Sequence, residues 1–360
     1  MKIKAIRAWY KKMALTKPYT IAYNTMSDVS IAFLEIELEN GILGYGTGSP
    51  AEDVVGESTA QTVRNLQSDF VQGLIGRDIR HFQQLIFECR HHFVHLPGTQ
   101  AALDIALHDA FCKLIGVPVC DFYGRKIDSL PTSVTIGIKN TQETLEEARE
   151  YARLGFRILK VKTGLDVNND IERIIRLHEE FGRRFTVRVD ANQGYDLANL
   201  KDFLAKTSTA KVELVEQPLP VGQEDELLGL SREERKIIAG DESLKDARAA
   251  LDFATAEGPF GIYNIKLMKC GGLAGAKEIA TIAENSGIEL FWGCNDESIL
   301  SIAAALHVAY SCPNTRYIDL DGSLDLAEDL VSGGFSIEDG FMKINAKPGF
   351  GVEAIDYGKA

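Results

Sequence analysis

Several things are scarce in this chain of 360 residues, and each scarcity excludes something. No run approaches the ~18 uninterrupted apolar residues that a membrane-crossing helix needs. The six cysteines (Cys89, Cys112, Cys120, Cys270, Cys294 and Cys312) nowhere fall in Cys-x-x-Cys spacing. That spacing argues against a zinc site or a disulfide frame, and suits buried thiols in a reducing compartment. Positive charge is in short supply, with 39 Lys and Arg against 52 Asp and Glu and a net charge of −13. A nucleic-acid or anionic-membrane partner is thereby disfavoured. The opening Met1-Lys2-Ile3-Lys4-Ala5 runs straight into a strand-like alternation, without the apolar core of a secretory signal. These absences predict a cytoplasmic protein whose partner is a small molecule.

The composition that remains, 45% hydrophobic and 25% charged, is that of a globular protein with a large core. Residues 1 to about 40 read as strands, with Asn40-Gly41 as a hairpin turn. From 57 to 115 the apolar pattern becomes helical, and Gly116-Val117-Pro118 ends it. Residues 1–125 therefore read as an α+β domain. Eight strand candidates follow, at 133–138, 157–162, 185–190, 212–216, 237–241, 261–266, 288–293 and 316–321. Helical segments, among them 141–153, 169–180, 271–286 and 297–310, separate them. This alternation predicts a (β/α)7-8 TIM-type barrel over 126–325. The last stretch, 326–360, is expected to pack back on the first domain.

Within the second of these strands lies Ile158-Leu159-Lys160-Val161-Lys162. Strand side chains alternate, so Lys160 and Lys162 share a face. The commoner fate of such a pair is a solvent-facing edge strand. If the strand is buried, desolvation and mutual repulsion both push a lysine pKa down, which is one route to a base near neutral pH.

What favours the second reading is the acidic series downstream. Asp190, Glu216, Asp241 and then Lys266 close successive apolar runs, at steps of 26, 25 and 25 residues. Each alone has an ordinary explanation, such as a helix N-cap for Asp241. Together they place one charged group at the C-terminal end of each strand, the face where barrel active sites lie. Three carboxylates with no His or Cys nearby suit a hard cation such as Mg²⁺. Strands two and six are diametrically opposed in a ring of eight, so Lys162 and Lys266 reach a substrate from opposite sides. A carboxylate substrate on the cation has an acidified α-proton. One lysine can remove it and the other return it to the opposite face, inverting the carbon. Lys160 would favour a neutral Lys162. On strand eight, Asp319 and Asp321 also share a face, and a turn-forming Asp-Gly is the bland alternative there.

These motifs resemble those of the enolase superfamily, in its muconate-lactonizing-enzyme subgroup. Lys160-Val161-Lys162, Asp190-Ala191-Asn192, Glu216-Gln217-Pro218, Gly240-Asp241-Glu242-Ser243 and Asn264-Ile265-Lys266 match in order along the whole chain. Sites of that superfamily pair a lysine or histidine base with Mg²⁺. Asp319-Leu320-Asp321 further resembles the motif of dipeptide epimerases, the group that includes L-Ala-D/L-Glu epimerase. The resemblance implies Mg²⁺-dependent epimerisation of a dipeptide at the α-carbon of its C-terminal residue, by two-base proton transfer through a metal-stabilised enolate. It makes Lys162 and Lys266 the acid/base pair, with Lys160 beside Lys162, and Asp190, Glu216 and Asp241 the metal ligands. Asp319 and Asp321 hold the substrate ammonium. It implies that the N-terminal domain caps the barrel mouth, through loops near Lys17–Met26 and Gly48–Glu57, and that the protein is a homo-oligomer. Thr135, on the first barrel strand, is a further candidate for substrate contact. In Gly293-Cys294-Asn295-Asp296-Glu297-Ser298, Asn295-Asp296 departs from the expected apolar residues. Asp296 is therefore expected to line the pocket for the N-terminal side chain and to favour a polar or cationic residue. The alternative within the subgroup is an o-succinylbenzoate synthase or N-succinylamino-acid racemase, which needs no ammonium pocket. A non-catalytic barrel is a third reading, and it predicts the loss of at least one base or ligand.

Overall fold

The structure, a computed structural model, describes residues 1–20, 25–353 and 355–357. It opens with an antiparallel sheet of three strands, β1 (Ile3–Thr20), β2 (Thr25–Leu38) and β3 (Leu43–Gly48). The Asn40-Gly41 turn forms as expected, with Gly41 at φ 83°. Residues 31–36 of β2 are buried on both faces, Glu35 included, because helices cover one side and the chain's end approaches the other. The helix Pro97–Ile115 packs on β3 through Ala102, Ala106 and Ala110. The approach is so close that a Cβ on Gly46 would stand 2.0 Å from the Ala102 carbonyl oxygen. Only glycine fits there.

After the short β4 (Leu130–Pro131), eight parallel strands follow in chain order. They are β5 (Ser133–Ile136), β6 (Ile158–Lys162), β7 (Thr186–Asp190), β8 (Val215–Glu216), β9 (Ile238–Gly240), β10 (Ile262–Ile265), β11 (Glu289–Trp292) and β12 (Thr315–Ile318). A parallel bridge between Thr132 and Ile318 brings the two outer strands together. The fold is thus an α/β barrel with a separate small antiparallel sheet. In its registers Lys160 faces Arg188, Lys162 faces Asp190, and Asp190 faces Glu216. Three charged groups therefore stand at one level. Below them Arg188 plugs the interior, stacked between Phe291 and Tyr317 and bonded to Glu213, Ser133 and the Ile318 carbonyl.

All eight strand candidates are present, and most are shorter than the apolar runs suggested. Asp241, Lys266, Asp319 and Asp321 lie just past strand ends, where the chain turns away and releases its side chains toward the barrel axis. The expected helix 271–286 is present as Leu273–Ser286, and a separate one-turn helix, Leu267–Cys270, precedes it across Gly271 and Gly272. Both glycines have positive φ, and a Cβ on Gly272 would stand 2.6 Å from that of Asp104. Asp104 in turn accepts the N–H groups of Leu273 and Ala274, anchoring the helix Pro97–Ile115 to a barrel helix. Beyond β12, β13 (Phe335–Glu338) and β14 (Phe341–Ile344) form a small sheet with β4. The chain then reaches back, with the Phe350 N–H on Asp109 and the Tyr357 hydroxyl on Glu35. Among the described residues no helix is long and apolar enough to cross a membrane.

Candidate active site

The barrel's C-terminal face gathers charge that is costly to bury. Lys160, 4% exposed, stands with its Nζ 3.0 Å from Asp190 Oδ2, 2.8 Å from Glu216 Oε2 and 2.9 Å from Asp319 Oδ2. Lys162 donates to Asp190 Oδ2 (2.7 Å) and Asn192 Oδ1 (3.1 Å). Lys266 donates to Asp241 Oδ2 (2.8 Å). Both β6 lysines thus face the barrel interior, and the edge-strand reading falls. Asp241 caps no helix with its side chain.

The backbone that carries the carboxylates is constrained. Asn192, Gln193 and Gln217, each just after a candidate ligand, have positive φ (42°, 68° and 34°). Such conformations in non-glycine residues persist where the surroundings over-determine them. Here the Asn192 N–H bonds Asp190 Oδ1, and the Gln217 side-chain oxygen accepts the N–H groups of Asp241 and Ser243.

The electrostatics correct one expectation. Burial pulls the Lys160 ammonium down, but Asp190, Asp319 and Glu216 outweigh it and hold it well above its usual value. Lys266 is likewise raised, because Asp241 and Glu216 overcome burial. Burial and repulsion alone would lower a lysine; the three carboxylates facing Lys160 reverse the sign. The carboxylates pay unequally. Burial and then Asp190 push Glu216 up to about 8. Asp190 falls to about 2, because Lys160 and Lys162 outweigh its burial. Asp241, between two lysines, is also lowered against its burial.

Whether a hard cation suits this set can be judged from its oxygens. Among the described residues no three acidic, His or Cys groups converge on one ion-binding point. Each of Asp190, Glu216 and Asp241 is instead turned onto lysine ammoniums. Yet Glu216 Oε2 and the neighbouring Glu242 Oε2 are buried without a hydrogen-bond partner. For the former, Lys160 is close but poorly aligned. Burial, Asp241 and Asp190 push Glu242 up to about 7. An all-oxygen set with orphaned, partly protonated carboxylates fits a divalent ion such as Mg²⁺.

Above the carboxylates lies a cavity of about 210 Å³. Lys162 and Lys266 both line it, with Lys160, Asp319 and Asp321. Asp321 accepts the Thr135 N–H (2.8 Å); Asp319 takes the Ser133 hydroxyl on one oxygen and Lys160 on the other. Burial and then Asp319 push Asp321 well above a normal carboxylate. Thr135 and Asp296 are on the wall, and Ser49 bonds the Asp296 carbonyl oxygen (2.9 Å). Of the first expected loop, Lys17 is on the wall while residues 21–24 lie outside the described residues.

Sequence reasoning missed Arg188, Lys269, Asn264 and Asp325. Lys269 bonds Asp241, Asn264 donates to Glu216 Oε1 (2.7 Å), and Asp325 is on the cavity wall. Arg188 was within reach, since it sits two residues before Asp190 on one strand and shares its face. Asn264 was likewise within reach, on β10 two residues before Lys266; Lys269 and Asp325 lie beyond strand ends, where the spacing gives no direction.

Comparison with known proteins accords with this geometry. Residues 4–124 match the mandelate racemase / muconate lactonizing enzyme N-terminal domain, and 143–357 the enolase C-terminal domain-like family. An L-Lys-D/L-Arg epimerase of Desulforapulum autotrophicum is 51% identical, over 99% of this chain and 100% of that protein. A dipeptide epimerase of Methylococcus capsulatus, solved with Mg and the dipeptide L-Arg-D-Lys, is 47% identical with a TM-score of 0.97, over 98% of this chain and 100% of that one. An N-succinyl Arg/Lys racemase of Bacillus cereus is 30% identical with a TM-score of 0.93, over 100% and 97%. With both domain models matched in order and relatives of this identity along its length, this protein belongs to the mandelate racemase / muconate lactonizing enzyme family of the enolase superfamily.

Proposed function

We propose that this enzyme epimerises dipeptides at the α-carbon of the C-terminal residue, with Lys or Arg preferred in the substrate. The observation that carries the reading is the pair Lys162 and Lys266, on strands four apart in the ring, lining one cavity. One lysine, as a neutral amine, takes the α-proton at its Nζ. The other, as an ammonium, returns a proton to the opposite face, and the carbon inverts. Asp190, Glu216 and Asp241 would hold Mg²⁺, which supplies the positive charge that acidifies the α-proton of a carboxylate substrate. The carboxylates that now hold Lys266 high are two of these three. Charge shared with a divalent ion falls less on the lysine, and burial then counts for more.

Asp321 would accept the dipeptide ammonium, with Asp319 behind it, already engaged by Lys160. Acidic groups continue along the wall in Asp296, Asp325 and Glu147. Burial, Asp296 and Glu147 push Asp325 up to about 7. A cationic side chain entering there relieves that repulsion. The relatives named for Lys and Arg support this choice.

We also propose the division into a capping domain (1–125), a barrel (126–325) and a C-terminal segment (326–360). Lys17 on the cavity wall and Ser49 on the Asp296 loop support a lid role for the first. A cytoplasmic homo-oligomer belongs to the same proposal, and the six free cysteines suit a reducing compartment.

The likeness to an N-succinyl Arg/Lys racemase favours one second reading. An N-succinyl substrate brings an anion where a dipeptide brings an ammonium, and Asp319 and Asp321 would repel it. Incubation with Mg²⁺ in D₂O, with a dipeptide library and N-succinyl-Lys and N-succinyl-Arg, separates the two. Deuterium at the C-terminal α-carbon of Lys- and Arg-containing dipeptides is expected. Uptake confined to the N-succinyl compounds would overturn the proposal.

A further inference from the structure

Asp241 is gripped by two lysines, one on each carboxylate oxygen. Lys266 reaches Oδ2 from the cavity side. Lys269 reaches Oδ1 from behind, where it lines a separate cleft of about 480 Å³ beside Arg90, Gln100 and Cys270. The Lys269 ammonium also donates to the carbonyl oxygens of Asp241 and Asn264. Its three protons thus have three acceptors. Those acceptors belong to the ends of neighbouring strands, β9 and β10, so Lys269 ties the two strand ends together. Lys269 is 6% exposed and sits in the one-turn helix Leu267–Cys270, which Lys266 precedes. One turn of chain therefore sends one lysine into the cavity and the other to the back of the same carboxylate.

The Lys162 side is built differently. Its partners are Asp190 and Asn192, and Lys269 touches neither.

We propose that Lys269 is a positioning residue for the Lys266 face alone: by fixing Asp241 from behind, it sets where the Lys266 amine stands in the cavity. This rests on the two-lysine reading above. An outer hydrogen-bond partner that orients a metal-ligating carboxylate, the role Asp241 has in the reading above, is typically worth about 10–100-fold in activity or metal affinity.

The test compares wild type with Lys269→Met in D₂O at saturating Mg²⁺. Deuterium entry at the C-terminal α-carbon is followed from the L,L and the L,D epimer of Lys-Arg separately, by mass spectrometry at early times. The epimer deprotonated by Lys266 is expected to exchange about 10–100-fold more slowly, while the other changes by no more than about twofold. Lys269→Arg is expected to restore most of the loss. Mg²⁺ affinity, measured by titration calorimetry, identifies any effect exerted through the ion, which saturating Mg²⁺ removes from the exchange rates. If the Met variant does not fold, Lys269→Gln carries the same comparison. An equal fall for both epimers, or no fall for either, overturns the proposal and leaves the two-lysine reading intact. A wild type that exchanges neither epimer overturns both.

Discussion

Replacing Glu216 with Gln should stabilise the Mg²⁺-free protein at high pH, although the residue sits in the candidate metal site. Glu216 is fully buried, and burial with Asp190 beside it raises its pKa from 4.5 to about 8. A carboxyl with a raised folded pKa holds a proton in the folded chain that it has lost in the unfolded one. Folded stability therefore falls as pH rises from about 4.5 to about 8, and stays low above that. At roughly 1.4 kcal/mol per unit, the ionised Glu216 costs on the order of 5 kcal/mol at pH 9. Gln escapes that charge. Its oxygen keeps the Asn264 bond, but its Nε2 meets the Lys160 ammonium, a mismatch of about 1–3 kcal/mol. The expected net gain is about 2 kcal/mol or more at pH 9 in EDTA, with no gain at pH 5. Urea unfolding of both proteins at the two pH values measures it. Added Mg²⁺ should narrow the gap by stabilising the wild type more than the variant. A variant destabilised equally at pH 5 and pH 9 would refute the reasoning.

Three further outcomes are expected. Arg188→Met removes a buried guanidinium with bonds to Glu213, Ser133 and a carbonyl, and should lower unfolding stability by about 3–5 kcal/mol, read by denaturant melts. Asp321→Asn should raise KM for dipeptides with a free N-terminus by about tenfold or more, and leave N-acetyl dipeptides unimproved and unworsened; a parallel rise for both would remove its ammonium role. Asp296→Ala should shift the preferred N-terminal residue away from Lys and Arg, and an unchanged dipeptide profile would remove Asp296 from the specificity account.

Much of this site was legible because a barrel's repeat converts sequence spacing into place. Steps of 25 or 26 residues put Asp190, Glu216, Asp241 and Lys266 on successive strands, and the β6–β8 registers then bring Lys162, Asp190 and Glu216 abreast. Alternation likewise gave both lysines one face. What spacing could not give was the path of the chain beyond a strand's last residue. Asp319 and Asp321 were expected on one strand face; they lie past β12 and have different partners, Lys160 and Thr135. The direction of the Lys160 shift was also missed, because it is set by burial against the three carboxylates that face the ammonium, Asp190, Asp319 and Glu216. Lys269 is three residues after Lys266, and only the one-turn helix between β10 and Gly271 turns it onto Asp241.

The central claim is that Lys162 and Lys266 serve opposite faces of one carbon. It is tested most directly by Lys162→Ala and Lys266→Ala, each given the L,L and the L,D epimer of Lys-Arg with Mg²⁺ in D₂O. The wild type should invert the C-terminal α-carbon and deuterate both epimers. Each variant should lose inversion but still deuterate one epimer, and the surviving epimer should differ between the two variants. Survival of inversion in either variant, or exchange confined to the same epimer in both, would contradict the account.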